Sequence, residues 1–95
     1  MTEVHVHRFI SALTSKGFEQ IESKHHTMFW LVAGGSRRAV RTRLSHGQKK
    51  VDDWLLNQIA RELHLSKREL LQFIECEIKQ GDYVQLMVQR GQLQL

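Results

Sequence analysis

Two adjacent histidines, His25 and His26, stand near the start of a basic stretch of the chain. An imidazole has a pKa of about 6.5, so it can remove the proton from a ribose 2′-hydroxyl or protonate the oxygen that leaves the phosphate. Arginine and lysine side chains would hold the phosphate and stabilise the negative charge that develops on it. These residue types together have the chemistry that cleavage of RNA without a metal ion would need, although two adjacent histidines can also be only a polar pair at the end of a strand.

The positive charge of the chain is concentrated in its first half. Residues 1–50 contain nine Lys and Arg against three Glu, a net charge of +6, whereas the remainder has five basic and seven acidic residues, a net charge of −2. The stretch 24–50 has no acidic residue at all. Because histidines and aromatic residues are interleaved with these cations, RNA is the polyanion that we expect to bind. The residues expected to contact RNA are Lys24, Trp30, Arg37, Arg41, Arg43, His46, Lys49 and Lys50.

A metal or cofactor site is not expected. His5 and His7 could be combined with His25 and His46 as metal ligands, but no cysteine or carboxylate accompanies these four histidines. The basic stretch also lacks the carboxylate cluster that a two-metal nuclease requires. We therefore expect the protein to work without a metal and without another cofactor.

The single cysteine and the lack of long apolar runs set expectations about the compartment. Cys76 cannot form an internal disulfide, which is typical of a protein of the reducing cytoplasm. It follows the apolar residues Phe73 and Ile74, so we expect a buried and unreactive thiol. No apolar run approaches the ~20 residues of a membrane span, and the N-terminus lacks a signal-peptide pattern. No membrane partner is expected.

Hydrophobic spacing predicts a single α+β domain over residues 1–95. Thr2 can cap a first helix that ends at Gly17. The pair Gly34-Gly35 favours a hairpin turn, because glycine accepts the positive φ angles that such turns require. The predicted strands are 18–23, 26–32 and 38–44.

The second half of the chain is predicted to be helical. A helical period resumes after the loop 45–51, and the capping box formed by Ser66 and Glu69 starts a further helix. A last short helix is expected around Tyr83, and the tail 91–95 is expected to fray. The order α-β-β-β-α with additional C-terminal helices implies a three-stranded meander with helices packed on one face.

Strand alternation predicts which side chains face the helices, because neighbouring side chains of a strand point to opposite faces of its sheet. By this parity His25 points towards the helices and His26 away from them, which favours His26 as the catalytic histidine. The open face is expected to carry His26, Met28, Trp30, Arg37, Arg41 and Arg43. The core is expected to contain Phe9, Leu13, Phe29, Leu31, Val40, Leu44, Leu56, Ile59 and Leu63.

The order helix, three strands, helix, with Gly17-Phe18 after the first helix, resembles the HicA toxins of bacterial toxin-antitoxin pairs. In that family a histidine opens the second strand, usually as Gly-Ser-His, and an aromatic residue follows three positions later. His26 with Phe29 fits this spacing. The segment Ser45-His46-Gly47 is similar to the histidine that stands near a glycine at the end of the family's third strand.

The resemblance covers roughly residues 1–65 and leaves 66–95 as a helical extension. It implies a fold like that of double-stranded-RNA-binding domains and the activity of an mRNA interferase, an endoribonuclease that uses one histidine and no metal. It also implies neutralisation by a separate HicB-like antitoxin protein that covers the active histidine. Ser23-Lys24 stands where Gly-Ser usually precedes the histidine, so His25 is the alternative to His26.

Two alternative functions stay open. One is an RNA-binding module without catalysis. The other is a DNA-binding regulator, because residues 58–73 fit a helix-turn-helix with Ala60 between the helices, His64 in the turn and Ser66 as the cap of a recognition helix. Against DNA binding, this half of the chain is net acidic. The side chains that would reach into a DNA groove are Lys67, Arg68 and Gln72.

Overall fold

The computed structural model describes residues 3–94, and within them the chain forms an α+β fold with a three-stranded antiparallel sheet, a short two-stranded pairing and four helices. The strands are β1 (Val4–His5), β2 (Phe18–Glu22), β3 (His26–Ala33), β4 (Ser36–Ser45) and β5 (Lys50–Val51). The helices are α1 (Val6–Ser15), α2 (Asp53–Glu62), α3 (Lys67–Ile74) and α4 (Gln80–Gln89). None of these helices, within residues 3–94, has the length and apolar character to cross a membrane.

The sheet is the expected meander in the order β2-β3-β4, with both pairings antiparallel. Gly34 and Gly35 join β3 to β4 with φ angles of 63° and 81°. Two consecutive positive φ angles match the right-handed twist of the flanking strands, which is why paired glycines favour this turn. The predicted hairpin is therefore confirmed.

Burial alternates along β3 and along most of β4, as the parity argument requires. Thr27, Phe29 and Leu31 are buried, whereas Met28 and Trp30 between them are half-buried. All nine side chains that were predicted to form the core are at most 3% exposed. The helices cover the face that carries these side chains, and the other face of the sheet stays open.

The N-terminal segment differs from the prediction. Helix α1 begins at Val6, and its N-cap is His5, whose side chain accepts a hydrogen bond of 3.2 Å from the backbone N–H of His7. Thr2, the cap expected from the sequence, lies outside the described residues. Residues Val4–His5 instead form β1, which pairs antiparallel with β5. Two-residue strands carry too little periodicity to be recognised in a sequence.

The C-terminal helices pack into the same core as the sheet. The rings of Phe18 on β2, Phe73 on α3 and Tyr83 on α4 contact one another, with centroid separations of 5.2–6.1 Å. The tail that was expected to fray is packed as far as it is described, because Leu93 is only 5% exposed and its N–H bonds to the carbonyl of Met87. Burial of one leucine stabilises such a segment by about 2 kcal/mol.

Cys76 is exposed, so the expectation of a buried thiol is wrong. The apolar face of α3 ends at Ile74, and Cys76 lies in the following turn with a φ of 66°, which directs its side chain away from that face. Its sulfur lies 3.4 Å from the Nζ of Lys16. The ammonium of Lys16 is itself buried, donates to the carbonyl of Phe73 and lies 4.7 Å from the centre of the Phe73 ring.

Candidate nucleic-acid interface

Cross-strand pairing builds the open face of the sheet from β3 and β4. His26 lies opposite Ser45, Met28 opposite Arg43 and Trp30 opposite Arg41. Opposed residues of an antiparallel pair point to the same face, so the histidine, the tryptophan and both arginines share one surface. The parity prediction for this face is confirmed.

Arg41 and Trp30 interact directly across the two strands. The guanidinium carbon of Arg41 lies 5.0 Å from the centre of the Trp30 ring, which is a cation–π contact. The contact holds the arginine against the sheet, and the residue stays exposed to solvent. A guanidinium that is held in this way loses less conformational entropy when it binds a phosphate.

His26 is half-buried at the first position of β3. Its backbone carbonyl accepts hydrogen bonds of 2.8 Å from both the N–H and the hydroxyl of Ser23, so the position of His26 is fixed by the turn that enters the strand. His25 lies in that turn, before β3 begins, and is exposed. Strand parity does not extend into a turn, so it does not determine the direction of the His25 side chain.

Acidic residues from other elements reach the basic stretch. Glu19 on β2 accepts from Arg37 on β4, with a distance of 3.0 Å to the Nε of the arginine. His46 lies 3.0 Å from a carboxylate oxygen of Glu22. At the other end of the stretch, Lys50 bonds to Glu3 at 3.0 Å. Three of the eight residues expected to contact RNA therefore already have a carboxylate partner.

The carboxylate of Glu22 is the most highly connected of these acidic groups. It accepts hydrogen bonds from the side chains of Gln20 and Thr27, and it contacts the imidazole of His46. These interactions, the one from Gln20 first, hold the pKa of Glu22 below its usual value. Glu22 therefore keeps the imidazole of His46 beside the end of β2.

The remaining cations of the predicted interface are not neutralised in this way. Among the residues that the structure describes, Arg41, Arg43, Lys24 and Lys49 form no ion pair with a carboxylate. All four are exposed. They are the cations of the basic stretch that are free to bind phosphate groups.

A cleft runs between β4 and α2, and its residues come from both elements. Its two adjoining parts have volumes of about 510 and 520 Å³ and share Arg43 and Glu62. The sheet contributes His26 to the first part and Met28 and Arg41 to the second. The helix contributes Trp54, Leu55, Gln58 and Glu62.

The helical wall of this cleft was missed from the sequence. Trp54, Gln58 and Glu62 recur at every fourth position, which places them on one stripe of α2. Trp54 is 73% exposed, the most exposed large apolar side chain among residues 3–94. Glu62 is oriented by the hydroxyl of the buried Thr42, which donates to its Oε1 at 2.8 Å. The four-residue spacing is the signal that could have identified this stripe.

The connection between α2 and α3 is a tight turn with a left-handed residue at its centre. His64 has a φ of 59°, the left-handed conformation that this turn position requires. The N–H of Leu65 bonds to the carbonyl of Ala60 at 2.8 Å, and Ser66 forms the expected capping box with Glu69. A groove along α3 and the turn that follows it has mixed charge. It is lined by Lys67, Arg68, Leu71, Gln72, Glu75 and Glu77.

Lys67 is also engaged within the protein, since its Nζ lies 2.5 Å from a carboxylate oxygen of Asp53 at the start of α2.

Among residues 3–94, no three His, Cys, Asp or Glu side chains come together as a group that could hold a metal ion. No protein-family model, no curated protein and no solved structure matches this chain.

Proposed function

We propose that this protein binds RNA through the open face of β3 and β4 and cleaves it with His26 as the acid-base group. The observation that carries the proposal is the cross-strand arrangement in which His26 lies opposite Ser45 and Arg43 belongs to the next pair on the same face. An imidazole and a guanidinium with no carboxylate partner therefore share one surface and line one cleft. An imidazole that can give or take a proton, beside a cation that binds phosphate, is the minimum that metal-independent RNA cleavage requires.

In the reaction, the ribose 2′-oxygen attacks the adjacent phosphorus and the 5′-oxygen of the next nucleotide leaves. His26 takes the proton of the 2′-hydroxyl or supplies the proton to the leaving oxygen. Arg43, with Arg41 beyond it on β4, stabilises the charge that builds on the phosphate. The products carry a 2′,3′-cyclic phosphate and a 5′-hydroxyl.

The resemblance to the HicA toxins supports the same activity and extends it to a biological role. His26 and Phe29 match the spacing of the family's histidine and aromatic residue, and the order helix, three strands, helix is the one on which the resemblance rests. On this proposal the domain belongs with the double-stranded-RNA-binding-like folds, and the protein acts as the toxin of a toxin-antitoxin pair. A HicB-like antitoxin would then inhibit it by covering the open face around His26.

The test of catalysis compares His26→Ala with His25→Ala and His46→Ala. Loss of the acid-base group should reduce cleavage by about 10²- to 10⁴-fold, whereas RNA affinity and the circular dichroism spectrum should stay unchanged. The other two histidine variants should cleave like the wild type. Cleavage is measured on a labelled RNA in the presence of EDTA, with identification of the cyclic phosphate ends.

Two results would contradict this assignment. Cleavage that stops in EDTA would replace the histidine mechanism with a metal-dependent one. Cleavage that survives His26→Ala but falls with His25→Ala or His46→Ala would move the active histidine. If the wild type binds RNA but never cuts it, the protein is an RNA-binding module without catalysis.

DNA binding by α2 and α3 is a second candidate, and the left-handed conformation of His64 favours it. Arg68 at the start of α3 would then enter a groove, together with Lys67 once it leaves Asp53. The double variant Lys67→Gln/Arg68→Gln should abolish DNA binding in a gel-shift assay if this candidate is right. No effect on DNA binding, or no DNA binding by the wild type, would eliminate it.

A further inference from the structure

The cleft between β4 and α2 has two chemically different walls. The sheet side presents His26, Arg43 and Ser45, which can bind phosphate oxygens. The helix side presents Trp54 and Gln58, followed by the carboxylate of Glu62. Phosphates are attracted to the first wall and repelled by the carboxylate of the second.

Trp54 lies in the wall of this cleft and is 73% exposed, and this exposure calls for an explanation. A tryptophan that stays exposed buries little apolar surface when the chain folds. Trp54 therefore contributes little to the stability of the fold. It stands at the second position of α2, where the N–H of Leu55 donates a capping hydrogen bond to the carboxylate of Asp52 and fixes the start of the helix. The indole is thus presented by a rigid element and not by a loop.

We propose that this cleft binds one unpaired nucleotide of an RNA strand, with its base stacked on Trp54 and its phosphate at Arg43. This inference rests on the proposed function and names its substrate class as single-stranded RNA. The volume of about 510 Å³ accommodates one nucleotide. Bases of a duplex are stacked on each other, so only an unpaired base offers a face to an indole.

The same placement explains how the reactive phosphate would be selected. A nucleotide that lies across the cleft has its base on the helix wall and its ribose beside the sheet wall, where His26 lies opposite Ser45. Gln58 contributes an amide that can donate to and accept from the edge of a stacked base. Trp54 is therefore a binding residue that sets which linkage comes next to His26.

The experiment measures the affinity of the full chain for a short single-stranded RNA and for the same RNA annealed to its complement. Trp54→Ala should weaken binding of the single strand by about 5- to 160-fold, the range observed for loss of one stacked base. Trp54→Phe should restore most of that affinity, and binding of the duplex should not change. Val88→Ala is the matched control, because Val88 is also exposed but lies on α4.

A second measurement identifies the stacked base. Abasic substitutions are placed one at a time along the single strand, and one of them should weaken binding by the wild type. The same substitution should have no further effect on Trp54→Ala, since the partner of that base is already absent. Additive effects of the abasic site and the Trp54 variant would overturn the proposal.

Other outcomes separate this inference from the proposed function. If Trp54→Ala binds and cleaves RNA like the wild type while His26→Ala does not cleave, the function stands and the nucleotide site is wrong. If Trp54→Ala weakens single strand and duplex equally, the indole has no role in recognising unpaired bases. If the wild type binds no RNA but self-associates through Trp54 in sedimentation experiments, the cleft is a protein interface.

Discussion

Replacing Arg41 and Arg43 together by glutamine should remove about half of the salt dependence of RNA binding. Each phosphate neutralised on a single strand contributes about −0.7 to the slope of log affinity against log salt concentration. Among the described residues, Lys24 and Lys49 are the other cations of the basic stretch that have neither a carboxylate partner nor a bond to a backbone carbonyl. If all four contact phosphates, the wild type has a slope of about −2.8 and the double variant about −1.4.

These slopes translate into affinities that can be measured. Raising monovalent salt tenfold should lower the affinity of the wild type by about 600-fold and that of the double variant by about 25-fold. At 0.1 M salt the variant should bind about 25-fold more weakly, and the difference should close towards 1 M. Fluorescence anisotropy of a labelled single-stranded RNA over a salt series provides both numbers. Circular dichroism checks that the variant is folded.

The control removes the same amount of charge elsewhere. Lys67→Gln/Arg68→Gln neutralises two cations on α3 and should leave the slope near the value of the wild type. A slope that does not respond to Arg41 and Arg43 would refute the assignment of the open face as the phosphate-binding surface. A slope that falls only in the Lys67 and Arg68 variant would transfer that role to α3.

Two further predictions concern the helices that support this face. Hydrogen bonds from Arg90 and then from the N–H of Ser66 lower the pKa of Glu69 to about 2, so its stabilising effect is present above its usual value of about 4.5 and is lost as the pH falls towards 2. Glu69→Gln should therefore lower the free energy of unfolding by about 1–2 kcal/mol at pH 7, after allowance for solvent screening, and by much less near pH 2. An equal loss of stability at both pH values would contradict this prediction. Tyr83→Phe leaves the buried carbonyl of Leu63 without its 2.9 Å hydrogen bond and should cost about 1–3 kcal/mol in urea denaturation, whereas an unchanged midpoint would show that another group satisfies this carbonyl.

Much of the fold follows from local rules that the sequence states directly. The positive φ angles of Gly34 and Gly35, the capping box of Ser66 and Glu69, and the alternation around Phe29 depend on neighbouring residues only. Each was predicted, because backbone conformation and side-chain direction are set within a few positions along the chain. His26 and its open face follow from the same alternation.

The charge that the open face presents could not be predicted from such local rules. The stretch from 24 to 50 is free of acidic residues in sequence, yet Glu19 and Glu22 reach it from β2, and Glu3 reaches it through the pairing of β1 with β5. The partners of these ion pairs are 18 to 47 positions apart. The number of residues between two positions in the sequence does not tell how far apart their side chains lie in the folded chain.

The cleft beside His26 also exists only in the folded chain. Trp54 and Glu62 belong to α2, and Arg43 belongs to β4; no local pattern connects the helix with the strand. Their approach depends on how the apolar faces of the two elements pack, and that packing is decided by the whole core at once. The sequence by itself determined the three strands of the main sheet, the direction of the side chains along β3 and β4, and the position of the candidate histidine. Only the tertiary structure decided which charges remain unpaired and which surface faces His26, because both depend on distances between elements that are remote along the chain.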